Sequence, residues 1–213
     1  MDTLRIDQDL LQFTSYLDPI DLSFNQFLLL GAEPLLVHTG AAPYAADLLP
    51  RLDDALGDRD LAYVFASHFE SDECGGLSVL RRRYPDVRLL CSEVTAREIA
   101  GFGLDGACSV QRPGSVLETS DARLEFLAYP SEVHLWEGLM LFERRRGILF
   151  SSDLFGRFGR IEGEPVAGAR GELMASLGPD RIPSPSALEE VRRALSVLPV
   201  SLVAPGHGPC IRL

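Results

Sequence analysis

The sequence predicts a layered α/β protein in which two mixed β-sheets lie between helices. Three observations favour this class: strand–helix–strand units in the first half, closely spaced strands in the middle, and a helix followed by a strand near the end. A chain of 213 residues with 46% hydrophobic residues is long and apolar enough to bury a sizeable core. We therefore expect a single domain over residues 1–213.

The first half opens with a predicted hairpin and continues into a helix and a strand. Apolar, aromatic-rich runs at 24–30 and 35–38 are separated by Gly31-Ala32-Glu33-Pro34, a typical turn composition. Helical spacing of the leucines predicts a helix over 45–56, which Gly57 ends. A dense apolar run at 61–66 predicts a buried strand.

A second helix–strand unit follows, and then the pattern changes. We expect a helix at 75–83, a strand at 87–91, and a helix capped by Ser92 that ends near Gly101 or Gly103. Short turns then separate four predicted strands at 116–117, 123–127, 139–143 and 148–151.

The final predicted elements are a helix and a strand. Ser186 and Glu189 form a capping-box pattern for a helix at 187–198, and an apolar run at 201–204 predicts the last strand.

The charge pattern excludes several classes of function. The net charge is −11, and all twenty basic residues are arginine, so a Schiff-base lysine, a pyridoxal anchor and a P-loop lysine are excluded. A pI near 4.8 argues against a nucleic-acid-binding surface.

The chain also lacks the patterns of export and membrane insertion. Its first residues carry no secretory signal, and no apolar run is long enough to span a bilayer. The four cysteines include no C-x-x-C pair. These patterns predict a cytoplasmic protein without membrane contact.

Polar side chains follow four of the predicted strands. His68 follows the strand at 61–66, His134 follows the strand at 123–127 after a short loop, Asp153 follows 148–151, and His207 follows 201–204. Side chains beyond strand ends converge at one edge of a sheet, where no core packing competes with them. We therefore expect these residues to lie together.

The segment His68-x-Glu70-x-Asp72 adds further metal-ligand types. Alternation in an extended segment would place these three side chains on one side. With His134, Asp153 and His207 they make six donors, enough for two divalent ions if one carboxylate bridges. By contrast, His38 ends a strand without acidic neighbours, which favours a structural role, and Cys74 and Cys210 are expected to be buried apolar residues.

The donor types indicate which metal this site would bind. Three histidines and three carboxylates form a harder, more anionic set than the histidine-rich sites of zinc hydrolases, which favours iron or manganese over zinc. The three carboxylates balance all but one of the four charges of two divalent ions. Such a pair of ions could bind O₂ or NO.

Together these residues resemble those of the metallo-β-lactamase fold and, within it, the diiron domain of flavodiiron proteins and the stand-alone oxygen-binding diiron proteins. The resemblance covers nearly the whole chain, with gaps of 66, 19 and 54 residues between the four strand-end residues named above. It is carried by Ser-Phe-Asn-Gln-Phe-Leu at 23–28, the His68-x-Glu70-x-Asp72 motif, His134, the segment 148–156, and His207-Gly208-Pro209.

The resemblance implies an αββα four-layer sandwich with two iron ions at one edge. It implies that one ion would be held by His68, Glu70 and His134, the other by Asp72 and His207, with Asp153 bridging them. Glu70 is the discriminating position, because hydrolases of the fold usually have histidine there.

Two departures from the family pattern affect the expected chemistry. Glu73 stands where relatives often have histidine, so it is a further candidate ligand that would alter the potential of the second ion. The chain ends soon after His207, so we expect no flavodoxin-like domain and no FMN in it. Electrons would come from a separate flavoprotein or rubredoxin-like partner, and a homodimer is a further expected assembly.

Three functions therefore remain open at the level of the sequence. The first is a diiron protein that binds, reduces or senses O₂ or NO. The second is a metal-dependent hydrolase of an ester, thioester or phosphodiester, with Asp72 orienting the water. The third is a non-catalytic interaction module with a structural or degenerate site.

Overall fold

Two seven-stranded β-sheets pack face to face in the computed structural model, with helices on both outer surfaces. The structure describes residues 1–104, 106–129 and 138–213. Two residues with sequence-based expectations lie outside these ranges: His134, and Trp136, which was expected either in the core or in a pocket wall. The αββα order of the layers confirms the predicted fold class. In the described ranges, no helix is both long and apolar enough to cross a membrane.

The first sheet is antiparallel at one side and parallel at the other. Its strands follow chain order, with antiparallel pairing from the first to the fourth and parallel pairing from the fourth to the seventh. The first, second and seventh strands were not predicted from the sequence. The strands are β1 (Asp2–Asp7), β2 (Leu10–Leu17), β3 (Leu22–Leu29), β4 (Leu35–Val37), β5 (Tyr63–Phe65), β6 (Arg88–Cys91) and β7 (Cys108–Val110).

The second sheet contains the predicted antiparallel strands of the middle of the chain. Its strands are β8 (Val116–Glu118), β9 (Arg123–Tyr129), β10 (Gly138–Glu143), β11 (Ile148–Phe150), β12 (Val166–Ala167), β13 (Leu202–Ala204) and β14 (Ile211–Arg212). Their order is β12-β14-β13-β11-β10-β9-β8, and β11 pairs with β13 in parallel. Because the two run in parallel, the loops that follow them leave the sheet at the same edge.

Helices cover both outer faces through their apolar stripes. The helices are α1 (Ala42–Leu56), α2 (Ser71–Cys74), α3 (Leu77–Arg83), α4 (Glu93–Gly101), α5 (Arg170–Ser176) and α6 (Pro185–Ser196). Leucines of α1 and α3 pack on the first sheet, and those of α5 and α6 pack on the second. Gly57 ends α1 with a positive φ, and the Ser92 side chain accepts a hydrogen bond from the Thr95 amide at the start of α4, as predicted.

Two helix starts differ from the sequence prediction. The last helix begins at Pro185 and is capped by Ser184, whose hydroxyl accepts from the Ala187 amide at 3.4 Å, so the capping assignment to Ser186 was wrong. Proline suits the first helical position because that position leaves its N–H unbonded in any case. The predicted helix at 75–83 is α3, which begins two residues later, at Leu77, and is preceded by the short α2; the Gly76 amide between them donates to the Gly40 carbonyl at 2.8 Å.

The core between the sheets is apolar and rich in phenylalanine. Phe27 and Phe150 lie 5.7 Å apart between ring centroids, and Phe65 and Phe126 lie 5.9 Å apart, so each pair joins one sheet to the other. Packed aromatic pairs stabilise a fold by more than the burial of their apolar area alone. This core lies between the sheets and so gives the sandwich packing of its own, separate from the polar residues at its edge.

Candidate metal centre

Loops that follow β5, β11 and β13 meet at one edge of the sandwich. They bring together His68, Asp153 and His207, three of the residues predicted to converge. One carboxylate oxygen of Asp153 lies 3.5 Å from His68 Nε2, and the other lies 3.4 Å from His207 Nε2. Asp153 therefore stands between the two histidines, with one oxygen facing each.

The first half of the site contains His68 and two glutamates. Glu70 Oε1 is 3.4 Å and Glu73 Oε2 is 3.9 Å from His68 Nε2. The three side chains offer ligand atoms that all lie within 4.8 Å of one another, so they could hold a metal ion. His68 and Glu73 are buried, whereas Glu70 is exposed at its outer side. Glu73 lies beside His68 and also interacts with Asp72 of the second half, so its expected influence on the second ion stays a prediction.

The second half contains His207 and Asp72. Asp72 Oδ2 lies 3.6 Å from His207 Nε2. The expected extended conformation of 68–72 was wrong in its last part, because the chain turns into α2 and Asp72 lies in its first turn. Carboxylates are favourable near a helix N-terminus. The turn directs Asp72 to His207 while Glu70 and Glu73 remain beside His68.

The spacing of these atoms suits a bound cation. The five nitrogen–oxygen distances lie between 3.4 and 3.9 Å, longer than ordinary hydrogen bonds. Ligand atoms about 2.0–2.2 Å from one ion are roughly 3–3.6 Å apart at tetrahedral or octahedral angles. Glu73 Oε2 and Asp153 Oδ1 are buried and have no hydrogen-bond partner among the described residues. A cation would satisfy both, so the residues present fit a metal centre.

The carboxylates of the site are strongly perturbed without a cation. Burial raises the pKa of Glu73 well above its usual range, and the nearby charges of Asp72 and Asp153 add to this effect. Burial also opposes ionisation of Asp153, but its interactions with His207 and His68 outweigh burial and lower its pKa to about 2. The site therefore favours an ionised carboxylate at the position between the histidines.

Both histidines are oriented through their Nδ1 atoms. His207 Nδ1 lies 3.0 Å from the Ser23 carbonyl, which only accepts, so Nδ1 carries the hydrogen and donates it. His68 Nδ1 lies 3.0 Å from the Ser67 hydroxyl and 3.3 Å from that of Ser152. His207 Nε2 therefore faces the carboxylates with a lone pair available to a metal, and His68 Nε2 does the same when its Nδ1 donates to one of the two hydroxyls.

Asn25 on β3 holds the loop that carries His207. Its side-chain amide donates to the carbonyls of Pro205 at 2.9 Å and Gly208 at 2.8 Å, and its backbone amide donates to Gly206 at 2.8 Å. Asn25 is buried, so these bonds are shielded from water. The conformation of the His207 loop is thereby fixed to the first sheet.

Tyr129 at the end of β9 supports Asp153. Its hydroxyl donates to Asp153 Oδ2 at 3.1 Å, and its ring lies 5.5 Å from that of His68. Burial, followed by the charge of Asp153, raises the pKa of the Tyr129 hydroxyl, so it remains a donor. Nothing in the sequence alone singled out Tyr129, Ser67 or Ser152, because their role depends on the fold.

Four further residues have roles predicted from the sequence: His134, Cys74, Cys210 and His38. The fourth predicted strand-end residue, His134, lies outside the described residues, so its ligand role stays a prediction. Cys74 and Cys210 are buried, as expected. His38 is buried and takes part in a hydrogen-bond network with Ser67, a structural role more specific than the one predicted.

The fold and site together define a metallo-β-lactamase-like protein with a carboxylate-rich candidate metal centre. A family profile described as "ODP family beta lactamase" matches residues 22–208. The chain belongs to this family.

Proteins with similar sequences support membership of this family. The chain is 28% identical over 205 residues to diflavin flavoprotein A 1 of Thermosynechococcus vestitus, a match over 89% of this chain and 34% of that protein. It is 29% identical over 142 residues to a coenzyme F420H(2) oxidase of Methanothermobacter marburgensis, a match over 63% of this chain and 35% of the relative. The chain thus spans about a third of the length of these relatives. Their names do not favour the hydrolase alternative.

Solved structures show the same fold. The flavodiiron protein of Giardia intestinalis superposes with a TM-score of 0.82 at 14% identity, over 100% of this chain and 56% of that chain. The metal-soaked Flv1 flavodiiron core of Synechocystis gives a TM-score of 0.80 at 20% identity, over 99% of this chain and 57% of that chain.

Proposed function

We propose that this chain holds two iron ions and binds O₂ or NO. It would either reduce the bound gas with electrons from a separate partner or sense the gas by binding alone. The observation that carries the proposal is the position of Asp153, which presents one oxygen to His68 and the other to His207. A carboxylate between two sets of ligands is the arrangement that a bridged pair of ions requires.

The proposed ligands follow the two halves of the site. His68, Glu70 and His134 would hold one ion, Asp72 and His207 the other, and Asp153 would bridge them. Glu73 would be a further carboxylate on the His68 side, where its buried oxygen lacks a hydrogen-bond partner among the described residues. His134 enters this set through the family resemblance alone.

The charge and type of the ligands would suit a redox-active pair of irons. A pair of irons supplies one-electron oxidation steps and coordination positions for a diatomic gas. The carboxylates of Glu70, Asp72, Glu73 and Asp153 together would match the four positive charges of two ferrous ions. Such an anionic donor set favours hard ions such as iron or manganese over zinc.

Hydrogen bonds to other residues of the chain would hold the ligands in place. Tyr129 donates to Asp153, and the Ser23 carbonyl fixes the ring of His207. Partners of this kind orient metal ligands and influence metal affinity. The site would therefore be largely preformed before metal binds.

Reduction of the gas would require electrons from a donor protein. Relatives include a coenzyme F420H(2) oxidase and an anaerobic nitric oxide reductase flavorubredoxin of Salmonella typhi, of which the chain spans 35% and 29%. We propose a separate flavoprotein or rubredoxin-like donor for this chain. The net charge of −11 would favour a donor with a basic contact face.

We also propose a cytoplasmic setting and a single-domain organisation. All four cysteines are free thiols, which supports a reducing compartment such as the cytoplasm. The apolar core shared by both sheets supports a single domain over residues 1–213.

An optical experiment tests the proposed function. Protein loaded with ferrous iron without air is mixed with O₂ or NO, and its visible spectrum is recorded before and after. We expect a new absorption band with either gas, and no such band in zinc-loaded protein. An unchanged spectrum of the iron form, together with hydrolysis of a thioester or phosphodiester by the zinc form, would contradict the proposal.

A further inference from the structure

Two cysteines that are distant in sequence meet on neighbouring strands of the first sheet. Cys91 ends β6 and Cys108 begins β7, and their sulfur atoms are 3.7 Å apart. Cys91 is buried, whereas Cys108 is exposed. The pair therefore joins a thiol that solvent reaches to a thiol that solvent does not reach.

The surroundings of the pair favour a thiolate at Cys108. The hydrogen bond between the two sulfurs, with the nearby charge of Arg81, lowers the pKa of Cys108 to about 7. The Arg81 guanidinium is held there by the carbonyls of Leu104 and Ala107, at 2.8 and 3.0 Å. The hydrogen bond with Cys108 and burial raise the pKa of Cys91. Cys108 is thus the nucleophile of the pair.

The strand pairing determines what a bond between these sulfurs requires. Cys91 lies opposite Val110 and Cys108 lies opposite Leu89, so the two cysteines are offset by two residues along the ladder. Residues offset by two on neighbouring strands typically have Cα atoms about 7–8 Å apart, and a disulfide needs them within about 7 Å, so a small shift of β7 along β6 would close it. β7 has three residues and lies at the edge of the sheet, where it pairs only with β6 among the described strands. The element that must move is therefore lightly held.

We propose that Cys108 and Cys91 form a redox-active dithiol that reacts with low-molecular-weight disulfides. The Cys108 thiolate attacks one sulfur of the disulfide, which forms a mixed disulfide and releases one thiolate. Cys91 then gives its proton to the released thiolate, attacks the Cys108 sulfur and releases the second thiolate. In total, two protein thiols lose two electrons and two protons, and one small disulfide becomes two thiols.

This site is separate from the candidate metal centre in its chemistry. An attacking thiol with a pKa near ambient pH is close to the optimum for exchange. The partner thiol beside it supplies the resolving group that converts a mixed disulfide into an internal one. The chain thus carries a thiol-based redox site whose test does not depend on bound metal.

Glutathione disulfide is the probe for the test. The full-length protein and three variants are incubated with it without air, quenched with acid, and analysed by intact mass and peptide mapping. The variants are Cys108→Ser, Cys91→Ala and, as a matched control in another buried position, Cys210→Ala. Initial rates are measured from about pH 5 to about pH 9, a range of about two pH units either side of the expected midpoint.

The proposal predicts a different product for each form. Wild type and Cys210→Ala should gain a disulfide that links Cys91 to Cys108. Cys91→Ala should stop at one glutathione on Cys108, and Cys108→Ser should not react at Cys91. At pH 7 we expect Cys108 to react roughly threefold to tenfold faster than an ordinary thiol of pKa 8.5–9, because its larger thiolate fraction outweighs its lower nucleophilicity.

Two results would overturn the proposal. One is a stable mixed disulfide on Cys108 of the wild type, with no linkage to Cys91. The other is a reaction of Cys108 whose rate midpoint lies near pH 8.5–9 and is the same in Cys91→Ala.

Discussion

His38 Nε2 lies 3.0 Å from the hydroxyl oxygen of Ser67. The same hydroxyl is 3.0 Å from His68 Nδ1 and 2.8 Å from the Ser152 hydroxyl. If His68 binds metal through Nε2, its Nδ1 donates to Ser67, and Ser67 can then donate its own hydrogen to His38. A histidine that touches no carboxylate of the site thus fixes the orientation of one that does.

Ser67→Ala should weaken metal binding without unfolding the protein. The substitution removes the nearer of the two hydroxyls that face His68 Nδ1, and the loss of such a partner lowers metal affinity by about 10–100-fold. Affinity is measured by anaerobic competition of ferrous iron with a chelator. Ser196→Ala, an exposed substitution on α6, is the control. Equal affinity in Ser67→Ala and the control would show that Ser67 does not orient His68.

His38 should make the stability of the metal-free protein depend on pH. Burial, followed by the charge of His68, lowers the pKa of His38 to about 3, so the folded state binds its proton less readily than the unfolded state does. The contribution of neutral His38 to the free energy of unfolding is complete above the unfolded pKa of 6.5. This contribution is lost as the pH falls from 6.5 towards 3. Between pH 7 and 5 the loss is about 2 kcal/mol, at about 1.4 kcal/mol per pKa unit.

The measurement is urea unfolding of wild type and His38→Gln at both pH values. Wild type should lose about 2 kcal/mol more stability than the variant on going from pH 7 to pH 5. Because the other titrating groups are common to both proteins, the difference isolates His38. A difference between the proteins that does not change with pH would contradict a buried neutral His38.

Glu73 should set the reduction potential of bound iron. A buried carboxylate beside His68 stabilises the ferric state, so Glu73→Gln and Glu73→His should both raise the potential by tens of millivolts. Spectroelectrochemical titration of the iron-loaded protein measures the change. Glu93→Gln, on the exposed start of α4, should leave the potential unchanged. Equal potentials in all four proteins would exclude an influence of Glu73 on the metal.

Asn25→Ala should destabilise the fold as well as the His207 loop. The side chain donates to two loop carbonyls and accepts from Gln12 at 2.9 Å and Thr14 at 2.9 Å, all in a buried setting. Leaving such groups unpaired costs about 2–4 kcal/mol in total. Chemical denaturation of the metal-free protein measures this loss. A cost below about 0.5 kcal/mol, typical of a surface substitution, would show that the network is not needed.

Much of the fold follows from local patterns in the sequence. The Ser92 cap, the Gly57 helix end and the apolar runs of β3, β5 and β13 are visible because caps and buried strands have strong local signatures. β1 and β7 were missed because they lie at the edges of the first sheet, where strands carry little apolar pattern. Their pairing depends on neighbours that the sequence does not identify.

The candidate site was partly predictable for a similar reason. His68, Asp153 and His207 follow strands, and parallel strands that end at one edge bring their loops together. The position of Asp72 depended on a four-residue helix, which has too few residues for a periodic pattern. The approach of Tyr129 to Asp153 and of Cys91 to Cys108 is set by tertiary packing, so sequence spacing carried no signal for either.

Metal content after anaerobic purification tests the central claim most directly. Elemental analysis of wild type should give about two irons per chain, the number that a bridged pair requires. Asp153→Asn should retain at most one while its circular dichroism remains that of the wild type, because the core between the sheets does not include the site. Tyr129→Phe, which removes only a hydrogen bond to Asp153, should retain both ions. One ion or none in wild type, or two ions in Asp153→Asn, would contradict a pair of irons bridged by Asp153.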